Sequence, residues 1–234
     1  PLSESRETNI TGTLRMLELA RGCTALRKFA HVSTVYVAGL QTGAIAERVH
    51  REEREFTTTY EQTKAEAERE VILESFVPAA VYRLSTAIGD SATGAIRQLN
   101  WFHKIARLAQ WLPALPGEPV RNTPVDLIAS DWSADVLEFL FQQRFEAGIV
   151  YHVCAGESHS IDLPDLVELL FSESKRRPKR SLHCNESLRF LLPRLTLEQT
   201  FSTRNTDVGL AGSRLLERPS IARWLPLVLQ QLRA

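Results

Sequence analysis

The sequence predicts an α/β fold built on a parallel sheet, and two observations carry that prediction. Three short apolar runs, Phe29–Ser33, Ala79–Leu84 and Ile149–Cys154, are too short for helices and read as strands apolar on both faces. Helix-patterned segments lie between them, so the strands need crossover connections and must run parallel. The composition agrees: 44% of 234 residues are hydrophobic and 24% charged, as in an ordinary globular protein with one large domain or a domain plus a lobe.

Helix is expected over 4–21, where Ile10, Leu14, Leu17, Leu19 and Ala20 recur at helical spacing and Gly22 stands where a terminating glycine belongs. The strand Phe29–Ser33 follows. Val35–Phe56 has no clean period, holds Gly39, Gly43 and the charged run Glu47–Glu55, and reads as a long loop. Thr57–Phe76 is helical again, with Tyr60, Lys64, Ala67 and Val71 on one side. Ala79–Leu84 then runs into a polar turn, Gly89–Gly94. Leu99–Leu112 reads as a helix whose Trp101, Phe102 and Trp111 are core, and Pro113, Pro116 and Gly117 break the chain. Ser133–Gln143 is expected as a helix with Ser133 as its N-cap. After Ile149–Cys154, helices are expected near 163–173, 186–193 and 218–232. Three strands are few for this length, which points to strands ahead of Pro1.

Composition and charge exclude several classes. Twenty-eight basic residues balance 28 acidic ones, leaving no cationic surplus for general nucleic-acid binding. The one basic cluster, Lys175–Arg180, reads as a solvated loop. No apolar stretch is long enough to span a bilayer, and the start does not resemble a signal peptide. Cys23, Cys154 and Cys184 are odd in number and widely spaced, as free thiols in a reducing, cytoplasmic setting would be. His31 and His152 read as satisfied core histidines; His50, His103, His159 and His183 share no ligand spacing, so no metal site is expected. None of the eleven glycines falls in a dinucleotide fingerprint or a P-loop.

The chemistry concentrates in Tyr60-Glu-Gln-Thr-Lys64. At i and i+4 on a helix, the phenol and ammonium share a face. A neighbouring cation lowers a tyrosine pKa from about 10, which suits it to act as general acid or base on a carbonyl or alcohol. Ser33 and Thr34 end a predicted strand, the edge where ligands bind in parallel α/β sheets, and a hydroxyl there can polarise a carbonyl together with the tyrosine.

Taken in order, Asn9-Ile-Thr-Gly12-Thr13, the Ser33-Thr34 strand end, Tyr60-x-x-x-Lys64 and a strand closing on Arg83 resemble the extended short-chain dehydrogenase/reductases. More narrowly, "FAHVSTVYVAG", "YEQTKAEAE" and "VYRLSTAIGDSATG" are similar to the branch of fatty acyl-CoA reductases and terminal thioester reductase domains, as is Thr200–Asn205. The resemblance implies the C-terminal part of a Rossmann-like parallel sheet with a mainly helical substrate lobe. In that division 1–95 is the catalytic part, 96–125 substrate lobe, 126–155 a return to the sheet, and 156–234 a helical C-terminal lobe.

It further implies that Thr34, with Ser33 as the alternative, holds the substrate carbonyl and that Tyr60 donates the proton. Lys64 lowers the tyrosine pKa and binds the nicotinamide ribose, Asn9 supports a water-mediated proton path, and Leu84, Ser85 and Thr86 lie along the nicotinamide. Leu84 stands where relatives commonly have proline. The implied cofactor is NADP(H), with NAD(H) also compatible; the implied substrate is an acyl thioester on coenzyme A or a carrier protein, reduced to aldehyde or alcohol. The front of such proteins, with its glycine-rich turn, is expected to lie outside this sequence. On that reading the chain binds dinucleotide poorly by itself and self-associates through an exposed sheet edge. A nucleotide-sugar epimerase or dehydratase and a non-catalytic relative are the alternatives.

Overall fold

The computed structural model describes residues 2–50, 52–74, 76–109, 122–172 and 197–232. The chain opens on a helical path of α1 (Leu2–Arg6), a π-helical turn (Glu7–Thr11) and α2 (Gly12–Gly22). It continues through β1 (Phe29–Thr34), a 3-10 turn (Val35–Ala38), β2 (Gly43–Ile45), α3 (Thr59–Leu73), β3 (Ala79–Leu84) and β4 (Thr86–Gly89). Then come α4 (Trp101–Ala109), β5 (Pro124–Val125), β6 (Leu127–Ala129), α5 (Ser130–Gln143), β7 (Val150–Val153), β8 (Ile161–Asp162) and α6 (Leu163–Ser172). β9 (Gln199–Phe201), α7 (Arg204–Leu210), a 3-10 turn (Arg214–Leu216) and α8 (Ile221–Gln231) complete the described chain. No helix among the described residues is long and apolar enough to cross a membrane.

The three apolar runs form the expected parallel sheet, in the order β1-β3-β7. Its register sets Val32 beside Tyr82 and Tyr82 beside Tyr151, and one residue on sets Ser33 beside Arg83 and Arg83 beside His152. Because strand side chains alternate, each row lies on its own face. The Tyr82 face is the main core: Tyr82 and Tyr151 stack with ring centroids 5.3 Å apart, over Phe102 of α4, Val136 and Leu140 of α5, Leu166 of α6, and Leu225 and Val228 of α8. The Arg83 face lies under α3 and carries charge at its centre. The strands are therefore not apolar on both faces, as their composition suggested.

α3 starts where its chemistry requires. Thr58 accepts the Glu61 N–H at 3.2 Å while the Glu61 carboxylate accepts the Thr58 N–H at 3.3 Å, a reciprocal capping box. Downstream, Val71 packs with Leu17 and Ala20 of α2 and with Val77. The helix ends at Leu73, three residues short of the expected Phe76.

Other boundaries differ for identifiable reasons. Gly22 is the last residue of α2, and Cys23, in extended conformation, ends the helix without a left-handed glycine. Ser133 is not an N-cap: α5 begins at Ser130, and the Ser133 hydroxyl donates back to the Ser130 carbonyl at 2.9 Å. Val35–Phe56 is not wholly loop, since it holds a 3-10 turn and β2, which pairs in parallel with β9. β4 pairs with β6, and β5 with β8. These short strands have no period to read; they exist through partners distant in sequence. In the turn after β4, Gly94 has φ +73° and a Cβ there would strike the Leu227 backbone, so both conformation and space require glycine. The expected helix 186–193, the basic run 175–180, Trp111, His183 and Cys184 lie outside the described residues.

Candidate active site

Lys64 is the centre of the constellation. Its Nζ donates to the Val32 carbonyl of β1 at 2.7 Å, which docks α3 beside the Ser33-Thr34 strand end. Burial holds the Lys64 ammonium below the ordinary lysine range, opposed by the negative charge of Glu68. Tyr60, one turn earlier, is 48% exposed, at the open end of the same stripe.

The two hydroxyls at the strand end differ. Alternation places Ser33 on the α3 side and Thr34 on the opposite one. The Ser33 hydroxyl is buried and finds no partner among the described residues. Thr34 Oγ1 accepts the Tyr36 N–H at 3.4 Å as the 3-10 turn begins, which leaves its own proton available to donate.

Asn9 sits in the π-helical turn, a deviation from α geometry that recurs at functional positions. The turn is marked by the Gly12 N–H reaching back to the Glu7 carbonyl. Asn9 Nδ2 donates to Thr63 Oγ1 at 2.9 Å, so Asn9 bonds to the residue immediately before Lys64. The segment after Arg83 closes the other side. Ser85 Oγ donates to the Asp126 carbonyl at 2.9 Å, and Thr86 Oγ1 lies 2.6 Å from the Tyr36 hydroxyl and accepts from Trp101 Nε1 at 3.2 Å. Leu84 ends β3 beside Thr34 in the register. Thus Thr34 and Leu84 are cross-strand neighbours, and the Tyr36–Thr86 contact ties the turn after β1 to β4. Trp101, expected as plain core, uses its ring nitrogen at this junction.

Asp126 is a second brace. Its carboxylate accepts the Ala155 and Gly156 N–H groups, each at 2.9 Å, just beyond β7, and burial pushes its pKa up. It holds the chain beyond β7 next to Ser85.

Behind Lys64 lies a network of which the motifs named only Arg83. Arg83, fully buried, donates from Nε to both Glu68 oxygens at 3.2 and 3.1 Å and from Nη2 to Oε1 at 2.5 Å. Its Nη1 meets His50 Nε2 at 2.9 Å and His152 Nε2 at 3.2 Å, and its Nη2 also donates to the Arg48 carbonyl at 3.0 Å. Burial and Arg83 hold both imidazoles neutral, with pKa values of about 3. His152 is the satisfied core histidine expected of it, its Nδ1 lying 2.9 Å from the Ser202 carbonyl. His31 is not: it is buried, its Nε2 has no partner among the described residues, and burial with the charge of Lys64 lowers its pKa to about 4. The signal for Glu68 is present in the sequence, since Tyr60, Lys64 and Glu68 stand at i, i+4 and i+8.

A nicotinamide cofactor fits this arrangement in three respects. The carbonyl ends of parallel strands lie there, an ammonium bonds the Val32 carbonyl near the strand end, and the next residue, Ser33, carries a buried hydroxyl with no partner among the described residues.

Comparison with known proteins agrees with the motif resemblance. A candidate fatty acyl-CoA reductase of Drosophila melanogaster, CG8303, is 24% identical over 219 residues, covering 77% of this chain and 40% of its own length. The terminal R domain of the myxalamid PKS-NRPS biosynthetic pathway shares the fold with a TM-score of 0.76 at 21% identity, over 100% of this chain and 64% of that one. A thiolation-reductase di-domain of an archaeal non-ribosomal peptide synthetase shares it with a TM-score of 0.70 at 18% identity, over 96% and 61%. The chain thus spans less than two thirds of the length of each. The family model described as Male sterility protein, NAD_binding_4, matches residues 1–137. With more than half its length inside that match and the matching elements folded as above, this chain belongs to the male sterility protein family of NAD-binding domains.

Proposed function

We propose that this chain carries the catalytic residues of a nicotinamide-dependent reductase acting on an acyl thioester. The observation that carries the proposal is the docking of Lys64 on β1, which brings the Tyr60–Lys64 stripe to the Ser33-Thr34 strand end. The substrate class is supported by the relatives named as a fatty acyl-CoA reductase and a thiolation-reductase di-domain. Coenzyme A and a carrier protein are the two thioester carriers this admits. NADP(H) is the proposed cofactor and the cytoplasm the proposed setting.

When bound, the nicotinamide supplies hydride to the thioester carbonyl carbon. Thr34, oriented by the Tyr36 N–H it accepts, donates its hydroxyl proton towards the carbonyl oxygen, with Ser33 as the alternative donor. Tyr60 donates a second hydrogen bond and gives up its proton as the oxygen becomes anionic. Lys64 stabilises the tyrosinate left behind and offers a hydrogen bond to the cofactor ribose. Asn9, through Thr63, sets the position from which a water can return the proton. Leu84, Ser85 and Thr86 would line the nicotinamide, Ser85 being held by the Asp126 carbonyl and Thr86 by Tyr36.

Turnover of an acyl-CoA with NADPH by a protein that joins this chain to the expected upstream half, followed by loss of the reduced nicotinamide absorbance, tests this. Tyr60→Phe lowers turnover about a hundredfold or more, as expected for loss of a positioned general acid, with the fold unchanged by circular dichroism. Near-native turnover in that variant refutes the assignment.

A further inference from the structure

The stripe that ends in Tyr60 continues inward. Lys64, half-buried, bonds a β1 carbonyl, and an ammonium drawn partly out of water is costly without a counter-charge. Glu68, one turn further along the same face, is 3% exposed and gripped by Arg83 at both oxygens. Among the described residues, the other groups near Lys64 supply no negative charge. His31 on β1 is neutral at ordinary pH. Arg83 on β3 is a cation already engaged by Glu68, and His50 and His152 behind it are neutral. From the leading helix, Arg6 is paired with Glu66, on another face of α3.

We propose that Glu68 is a positioning residue for the Tyr60–Lys64 pair: clamped by Arg83, it supplies the fixed negative charge that keeps Lys64 an ammonium while Lys64 is drawn onto β1. Glu68 touches neither substrate nor cofactor; it acts through Lys64. Arg83, fully buried, holds this carboxylate directly, and that salt bridge prevents it from swinging away; Lys64, half-buried one turn earlier on the same stripe, feels its charge. The neutral His31 completes the arrangement by adding no competing positive charge beside Lys64. This inference rests on the functional reading of Tyr60 and Lys64 given above, and it is tested apart from it.

The test reads the Lys64 ammonium itself in the full 234-residue chain, labelled with 13C and 15N at the lysine side chains and assigned by Lys64→Arg. Three variants are titrated: Glu68→Gln, Glu68→Asp, and Glu68→Gln combined with Arg83→Met, which leaves no orphan buried cation should the single amide variant fail to fold. Removing the charge is expected to move the Lys64 titration down by about one pH unit or more, a tenfold change in proton affinity. Glu68→Asp, which keeps the charge, is expected to stay near the native titration. A folded Gln variant whose Lys64 titrates as in the native chain overturns the inference, and so does an Asp variant that shifts as far as Gln. Neither outcome depends on turnover, whereas near-native turnover in Tyr60→Phe removes the functional reading and leaves the electrostatic coupling standing.

Discussion

The two faces of the β1-β3-β7 sheet are made by the same three strands and solve opposite problems. On one face Tyr82 and Tyr151 stack and four helices pack apolar side chains over them; stability there comes from area removed from water and from close packing. On the other, the same strands present Ser33, Arg83 and His152 in one row, where Arg83 meets Glu68 and His50, while the Lys64 ammonium bonds the Val32 carbonyl. That face gains little from burial, because every charge withdrawn from water must be compensated. The contrast teaches that a strand reading as uniformly apolar can hold the polar half of a site on alternate residues.

The largest expected effect is on the polar face. Arg83→Met leaves Glu68 buried without its partner and costs about 3–5 kcal/mol, whereas adding Glu68→Leu recovers most of that loss, because an apolar pair of similar volume packs without desolvation. Denaturant unfolding of the single and double variants measures both, and equal destabilisation in the two would break the contrast.

On the apolar face, Leu140→Ala removes a fully buried side chain of the main core and costs about 2–5 kcal/mol, with no partner change that restores it short of refilling the volume. The same unfolding series reads it.

The pH dependence separates the faces further. His31, His50 and His152 are held near 4, 3 and 3, below the value of 6.5 they regain on unfolding. Their contribution is therefore complete above about pH 6.5 and is lost as pH falls through 4 towards 3, each group adding a slope of up to about 1.4 kcal/mol per pH unit. Tyr82 and Tyr151 are pushed above the ordinary tyrosine range by burial. Their contribution is complete below about pH 10 and is lost as pH rises further. Thermal unfolding across pH is expected to show His31→Phe flattening the acid limb between 6.5 and 4 and leaving the alkaline limb alone. An unchanged acid limb would count against a buried neutral His31.

The smallest effect sharpens the picture. The Tyr82 hydroxyl is buried with no partner among the described residues, so Tyr82→Phe removes an uncompensated polar group and is expected to leave stability unchanged or raise it by up to about 1 kcal/mol. A clear loss would mean that the hydroxyl is hydrogen-bonded.

Much of the candidate site is legible in the sequence. Tyr60 and Lys64 are marked by their spacing on one helix, and Ser33 and Thr34 by their place at a strand end. Both are local properties that survive into the fold. Glu68 lies on the same stripe, but nothing in the sequence says that Arg83, fifteen residues later, folds back onto it. Asn9 is matched to its position by resemblance, and its bond to Thr63, 54 residues away, depends on how the leading helix packs against α3. The short strands β2, β4, β5, β6, β8 and β9 escape for the same reason, since two to four residues hold no period and each strand forms only against its partner.

What the sequence by itself determined is therefore the local part: three buried strands, the helix that became α3, and a tyrosine and a lysine one turn apart. These follow from short-range sterics, capping hydrogen bonds and hydrophobic spacing, which act between neighbours along the chain. Tertiary structure alone decided which face of the sheet carries charge in balance and which is apolar. It also decided which strand-end hydroxyl is orphaned and which carboxylate stands behind Lys64. Those depend on register and on desolvation, and both come into being only when distant segments exclude water together.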